Sequence, residues 1–337
     1  MRVALVTTTI NRPDVLKLYR AHDPWVDFFV AGDLKTPAET AEFCETIGHP
    51  GFKIGCTYLH PDDQRKWKSS DTIPWNSDSR RNFALLEALK SGAELIISVD
   101  DDMAPMQERF WFDVRFPFQN PFHGLQVGTM NHWLDAGEFT IPKAMQRGLP
   151  YDESHYATAS FVSGVEIGAA QGIILGVPDT DACTAISQTP FIHSATDILK
   201  HGFVANPRAN AVFNSQLTIF RAELAPAFAQ FYFAQGRNTD IFASLLMRRI
   251  MREKNLHTYY GPPYGFHARQ PRPLLKDLQA ERYGVDNIRE YADYLNRAPL
   301  PKDISVTEQC RILAQGWNGP ELKAAMAWYE DCEKVLA

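Results

Sequence analysis

The sequence predicts an α/β fold, with a mostly parallel open sheet, flanking helices and a helical extension at the C-terminal end. Three observations carry that expectation. The first 33 residues read as strand, loop, helix and strand, with apolar VALV, polar TTTINRP, helical VLKLYRAH and apolar WVDFFVAGD in succession. A second helix-then-strand unit follows at 82–102, where NFALLEALKSG leads into LIISVDDD. A helical pattern over 240–255 and polar helices from 274 onward supply the remaining cover.

Each element has a local cause. In NFALLEALKSG the apolar Phe83, Leu85, Leu86 and Leu89 share a helical face, and Gly92 suits the position just past the helix end. The strand over 95–102 is apolar up to Val99 and then acidic. Ligands of open α/β sheets collect at the carboxyl ends of the strands, so TTTINRP, AGD and DDD are expected to line one crevice. From 110 to about 210 the pattern becomes aromatic and loop-rich, with short apolar runs such as 172–178 that could be strands bounded by turn residues, and the substrate side of the site is expected there. GPPYG at 261–265 reads as a turn, and LLMRRIM and the aromatic FAQFYFAQ at 228–235 read as core packing. The expected division is a main domain at 1–270 and a C-terminal helical extension at 271–337, with no repeat or flexible linker.

Composition excludes several classes. With 45% apolar and 22% charged residues in 337, the chain is neither disordered nor fibrous. Thirty-four Lys and Arg against 40 Asp and Glu give a net charge of −6, which lacks the basic field that holds nucleic acid. Cys44, Cys56, Cys183, Cys310 and Cys332 are scattered without Cys-x-x-Cys spacing, so they are expected to be reduced, mostly buried and not zinc-binding. No apolar run approaches the length of a transmembrane segment, and Met1 leads straight into VALV without the basic start of a signal peptide. A cytoplasmic location is expected.

The acids at 100–102 are the sharpest chemical signal. Adjacent carboxylates repel one another unless a cation is held among them. Strand alternation puts Asp100 and Asp102 on one side, as a metal pair, and turns Asp101 towards a ribose or an arginine. The bland alternative is a solvated acidic turn. A Mg²⁺ or Mn²⁺ shell built from one or two carboxylates is commonly completed by phosphates, which points to a nucleoside diphosphate. Neither GxxxxGK[ST] nor GxGxxG occurs, leaving the aspartate-x-aspartate arrangement of sugar-nucleotide enzymes. Arg80 and Arg81 stand at a helix start, where they suit a diphosphate, although capping by Ser77, Asp78 or Ser79 explains the segment equally. Asp179 and Asp181 flank a turn, Asp240 opens a helix as an N-cap or dipole partner, and His267 is either a core histidine or a late metal ligand. Arg147, read from the residues alone, is a salt bridge to phosphate or to Asp152.

In their order along most of the chain, AGDLKT, SDSRRNF followed by DDD, RGLPYD, GVPDTDACT, GRNTDIFA, PYGFHARQPRP and SVTEQC resemble the reversibly glycosylated polypeptides. The best-known members of that family are UDP-arabinopyranose mutases with the glycosyltransferase A fold. The resemblance implies that Asp33, Arg81, Asp100 and Asp101 bind the nucleotide, Asp33 at the nucleoside and Arg81 at the diphosphate, and Thr8, in the TTTINRP segment of the crevice, is expected beside them. It implies that Asp100, Asp102 and His267 hold Mn²⁺ or Mg²⁺, and that Asp179 and Asp181 lie near the sugar. Arg147 and Asp240 would be catalytic, Arg147 matching the arginine that the family reversibly glycosylates. The chain departs from the pattern at Met103 and Arg80, where the family has cysteines, at Asn238-Thr239-Asp240, which keeps one of two adjacent acids, and in the opening TTTINRP.

The expected activity is therefore a metal-dependent interconversion of the pyranose and furanose forms of a UDP-sugar. A glycosyltransferase passing the sugar to a small acceptor, with Asp240 as general base, stays open, as does a non-catalytic sugar-nucleotide-binding subunit. Assembly into a homo-oligomer is likewise left open.

Overall fold

The computed structural model describes residues 1–23, 25–48, 55–128, 132–153, 158–231, 236–269 and 272–337. It opens with β1 (Val3–Thr9), α1 (Leu16–His22), β2 (Asp27–Gly32), α2 (Glu39–Ile47), β3 (Cys56–Leu59), a short α3 (Pro61–Gln64), α4 (Arg81–Lys90) and β4 (Leu95–Val99). These strands pair in parallel in the order β3-β2-β1-β4. Alternation along β1 explains the layers: Val3 and Leu5 pack with α1, α2 and a later helix, while Ala4 and Val6 pack with α4 on the opposite face. Gly92 has φ +76° just past α4, as its place in the sequence predicts.

The chain runs from β1 outward to β2 and β3, then returns to place β4 on the other side of β1. That reversal of strand order opens a crevice at the carboxyl ends of β1 and β4.

The middle of the chain contributes β5 (Met103–Pro105), α5 (Phe110–Gln119), β6 (Phe122–Val127), β7 (Trp133–Leu134), β8 (Thr140–Ile141), β9 (Ala159–Gly176), α6 (Ala182–Gln188), β10 (Ser194–Ala195), α7 (Asp197–His201), β11 (Phe203–Ala205), β12 (Asn210–Ala211) and β13 (Leu217–Arg221). The last part is α8 (Thr239–Glu253), β14 (Leu256–His267), α9 (Leu274–Arg297), α10 (Val306–Trp317) and α11 (Leu322–Leu336). Among the described residues the large sheet has ten strands in the order β3-β2-β1-β4-β13-β9-β6-β11-β14-β5, with β14 also pairing with β9. Its second half is mixed, since β13 is antiparallel to both neighbours whereas β14 is parallel to β9.

One local expectation is extended and another corrected. The loop-rich region contains β9, an 18-residue strand whose Gly164, Gly168, Gly172 and Gly176 mask the alternation that would announce it. GPPYG is no turn: it lies inside β14, which shifts register against β9 between Tyr260 and Tyr264 and then continues to pair, so the two prolines occupy an irregularity where no ladder bond is needed.

The C-terminal helices join the main core. Ile288, Leu295, Leu313 and Trp328 belong to the same buried cluster as Phe83 and Leu245. Trp328 donates its indole N–H to the Pro226 carbonyl at 3.0 Å, and fully buried Asp331 accepts the backbone N–H groups of Lys68 and Ser69. LLMRRIM is buried throughout, as are Phe228 to Phe231 of the aromatic stripe; 232–235 lie outside the described residues. The described cysteines are free, with Cys44, Cys310 and Cys332 buried. No helix among the described residues is long and apolar enough to cross a membrane.

Candidate functional site

A cavity of about 320 Å³ opens at the carboxyl ends of β1 and β4. Six carboxylates and four arginines line it, together with His267. Of the residues singled out from sequence, Thr8, Arg81, Asp100, Asp101, Asp102, Arg147, Asp179, Asp240 and His267 all meet there, although they come from seven separate segments.

One wall is acidic. β4 ends at Val99, so Asp100 to Asp102 form a turn, closed by the Met103 N–H on the Asp100 carbonyl at 3.1 Å, and strand alternation does not set their directions. Asp101 turns towards β1 and accepts the Thr9 hydroxyl. Burial pushes its carboxyl up to about 6, against the lowering effect of that bond. Asp102 meets Nε2 of His267 at 3.0 Å, while Nδ1 of the same ring meets the Val177 carbonyl at 2.8 Å. Burial alone would raise Asp102 and lower His267; the hydrogen bond and charge between them reverse both directions, leaving Asp102 below and His267 above its ordinary value. His267 is 2% exposed and Asp102 about half, so the ring is fixed and the carboxylate looks into the cavity.

Asp100 is engaged differently from the expected metal pair. Arg81 approaches one oxygen at 2.5 Å and Gln216 donates to the other at 3.0 Å. Arg81 in turn donates to the Ser98 hydroxyl and the Ser215 carbonyl, so it forms the buried floor under Asp100 and its charge is spent there. The helix-start geometry that suggested a diphosphate ligand instead aims this guanidinium at the nearest carboxylate.

Metal bonds of about 2.1 Å at right angles place two ligands about 3 Å apart, and Asp102 and His267 already stand at that separation. The Val177 carbonyl orients the ring by accepting from Nδ1, as outer partners of metal-binding histidines do. Among the described residues no three His, Cys, Asp or Glu side chains are gathered as a ready metal cage. The fit is thus to a hard cation held by two side chains and completed by ligand oxygens, with Asp100 at the edge.

The opposite wall is built on arginine. Arg147, 5% exposed, sits between Asp179 at 2.5 Å and Asp240 at 2.9 Å. Asp179 also receives Arg237 at 2.5 Å and Arg269 at 2.6 Å, and these three guanidinium groups hold its carboxyl well below its ordinary value although burial works the other way. Asp240, in the first turn of α8, also accepts the Ser215 and Ile241 N–H groups; burial keeps its carboxyl above the ordinary value despite Arg147. The same two carboxylates outweigh burial at Arg147 and raise its pKa.

Two expected residues stay outside the cavity. Asp181 is the N-cap of α6, its Oδ1 accepting from the Thr184 N–H at 2.9 Å and from the Tyr151 hydroxyl at 3.1 Å. Asp33 is buried and accepts the Leu34 and Ser77 N–H groups, which fixes the loop carrying Asn76 to Asp78 on the cavity rim. Thr8 lines the cavity with its hydroxyl tied to the Ala31 carbonyl.

Sequence reasoning missed Arg237, Arg269, Ser215 and Gln216. The two arginines lie three residues before Asp240 and two after His267, which is the signal that a search for counter-charges near the chosen acids would have used. Ser215 and Gln216 carry no such mark.

No protein-family model and no curated protein matches this chain. Among solved structures it is similar to glucosyl-3-phosphoglycerate synthase from Mycobacterium tuberculosis in complex with Mn²⁺ and uridine-diphosphate-glucose, with 13% identity and a TM-score of 0.45 over 86% of this chain and 78% of that one. It is also similar to a mannosyltransferase from Pyrobaculum calidifontis in complex with GDP-Man and Mn²⁺, with 12% identity and a TM-score of 0.44 over 100% of this chain and 81% of that one. Likeness at this level says nothing about activity, so the functional argument rests on the residues.

Proposed function

We propose that the protein is an enzyme that binds a nucleoside-diphosphate sugar in this cavity and transfers the sugar to a small acceptor. The observation that carries the reading is the 3.0 Å pairing of Asp102 with a histidine oriented through its other nitrogen, at the strand ends where ligands of open sheets bind. Mn²⁺ or Mg²⁺ held by Asp102 and His267 would stabilise the charge of the departing diphosphate. In the reaction the bond from anomeric carbon to phosphate oxygen breaks with its electron pair on the diphosphate. The acceptor oxygen then bonds to the anomeric carbon and gives up its proton. Asp240, whose carboxyl is raised by burial, is the group on the cavity wall suited to receive it.

A second reading follows from Arg147. Its Nε and Nη1 are buried without a partner among the described residues, and the family resemblance makes this side chain an internal sugar acceptor in a pyranose–furanose mutase. The raised pKa argues against it as a nucleophile.

Incubation with labelled UDP- and GDP-sugars in Mn²⁺ separates the readings. Transfer expects label on an added acceptor, loss of activity in Asp240→Asn, and a wild-type protein that stays unlabelled. A mutase expects protein-bound label that excess UDP releases and Arg147→Ala abolishes. Nucleotide binding with no turnover of any donor would replace both with a binding subunit.

A further inference from the structure

We infer that the arginine wall is a second oxyanion site and that the acceptor carries a phosphate or carboxylate group; this rests on the nucleotide-sugar reading of the same cavity. On that wall Arg147, Arg237 and Arg269 face two carboxylates, Asp179 and Asp240. The further counter-charges, Asp277 and Glu281, pair with Arg237 at 3.2 and 2.6 Å from behind and do not line the cavity. With Asp78 also lining the cavity, the surface that a ligand meets there holds as many carboxylates as guanidinium groups, so the site rests on unfilled donors and not on a surplus of charge.

Arg147 supplies the second observation. It is 5% exposed, it lines the cavity, and Nε and Nη1 lack acceptors among the described residues. A buried cationic N–H without an acceptor is costly, and an incoming oxyanion removes that cost. Arg269 reaches Asp179 through Nη1 at 2.6 Å, and a planar guanidinium has a second edge with which to bind an oxyanion. The acidic wall offers an anion nothing unless a cation is present, and the diphosphate uses that cation. Two anionic groups in one cavity thus have separate places: the diphosphate at Asp102 and His267, and the acceptor's oxyanion at Arg147 and Arg269.

The test is calorimetric titration of inorganic phosphate, and of acetate in a parallel arm, into the full chain with and without saturating UDP and Mg²⁺. Phosphate or acetate is expected to bind in both states, the tighter of the two naming the acceptor's group. Arg269→Ala should weaken that binding at least about tenfold, as expected for the loss of a charge-assisted hydrogen bond, and Arg269→Lys should restore part of it. Asp179 keeps Arg147 and Arg237 in these variants, and a thermal melt confirms folding. UDP affinity should stay the same. The inference is overturned if neither anion binds the wild type. It is equally overturned if UDP displaces the anion and UDP binding weakens in parallel in Arg269→Ala, because the arginines would then belong to the diphosphate. Failure of the nucleotide-sugar reading shows separately, as absence of UDP binding in Mg²⁺, and the arm without UDP still decides the second site.

Discussion

The two walls of the cavity hold similar numbers of charges and treat them in opposite ways. On the acidic wall Asp100, Asp101 and Asp102 come from one turn, and Asp102 stands half-exposed beside a single histidine. On the other wall Arg147, Asp179, Arg237, Asp240 and Arg269 come from four segments, and each charge is neutralised by its neighbours at 2.5 to 2.9 Å. The first wall is left short of positive charge and is suited to binding; the second is nearly complete and also holds the fold together. Removing a charge should therefore cost function alone on the acidic wall, and both stability and function on the other.

The largest expected effect is at Asp179. Truncation to Ala leaves three guanidinium groups without their shared carboxylate, and breaking a buried ion pair in this way costs roughly 3–5 kcal/mol. Urea denaturation measures it. A loss below about 1 kcal/mol, the scale of an exposed pair, would mean that this wall is not a structural unit.

Asp102→Ala should do the reverse. Its carboxylate is half-exposed, so folding stability should fall by less than about 1 kcal/mol, while Mn²⁺ affinity should drop by at least roughly 10-fold. His267→Ala should match the metal loss and add a stability loss, because the ring is 2% exposed. Equal Mn²⁺ affinities in the wild type and both variants would remove the metal from the acidic wall.

These walls also differ in how visible they were in the sequence. Three contiguous acids closing an apolar run announce themselves, and the β1 and β4 crevice follows from the strand pattern around them. The arginine wall does so only in part: Arg147, Asp179 and Asp240 stand in recognisable segments, whereas Arg237 and Arg269 are brought to Asp179 by the placement of α8 and β14, which depends on long-range pairing that no local pattern encodes. Asp33 and Asp181 show a structural role that the sequence does not announce. An acid next to a motif looks chemical, yet each is claimed by unpaired backbone N–H groups, a demand that appears only once the turn geometry is known. β9 was hidden by its glycines, and GPPYG looked like a turn because a strand irregularity and a turn share the same residues.

A smaller effect tests the support of the arginine wall. Asp135 accepts the Gly137 and Gln146 N–H groups just ahead of Arg147, and burial pushes its carboxyl up to about 7 in spite of those bonds. A carboxyl raised in the folded state contributes stability at pH below its unfolded value of roughly 4, and that contribution is lost as pH rises through about 7. Asp135→Asn keeps the accepting oxygen and removes the titration. Its stability should change less than that of the wild type between about pH 5 and about pH 8, and parallel losses would assign the slope to other groups.

The central claim is that a cation on the acidic wall holds a nucleoside diphosphate in the cavity. Its most direct test is titration of UDP and GDP into the wild type and Asp102→Ala, each with Mn²⁺ and with EDTA. The account predicts that at least one nucleotide binds the wild type in Mn²⁺, that EDTA weakens this at least about tenfold, and that Asp102→Ala behaves in Mn²⁺ as the wild type does in EDTA. A nucleotide affinity that neither EDTA nor the substitution changes, or no binding of either nucleotide in Mn²⁺, would contradict it.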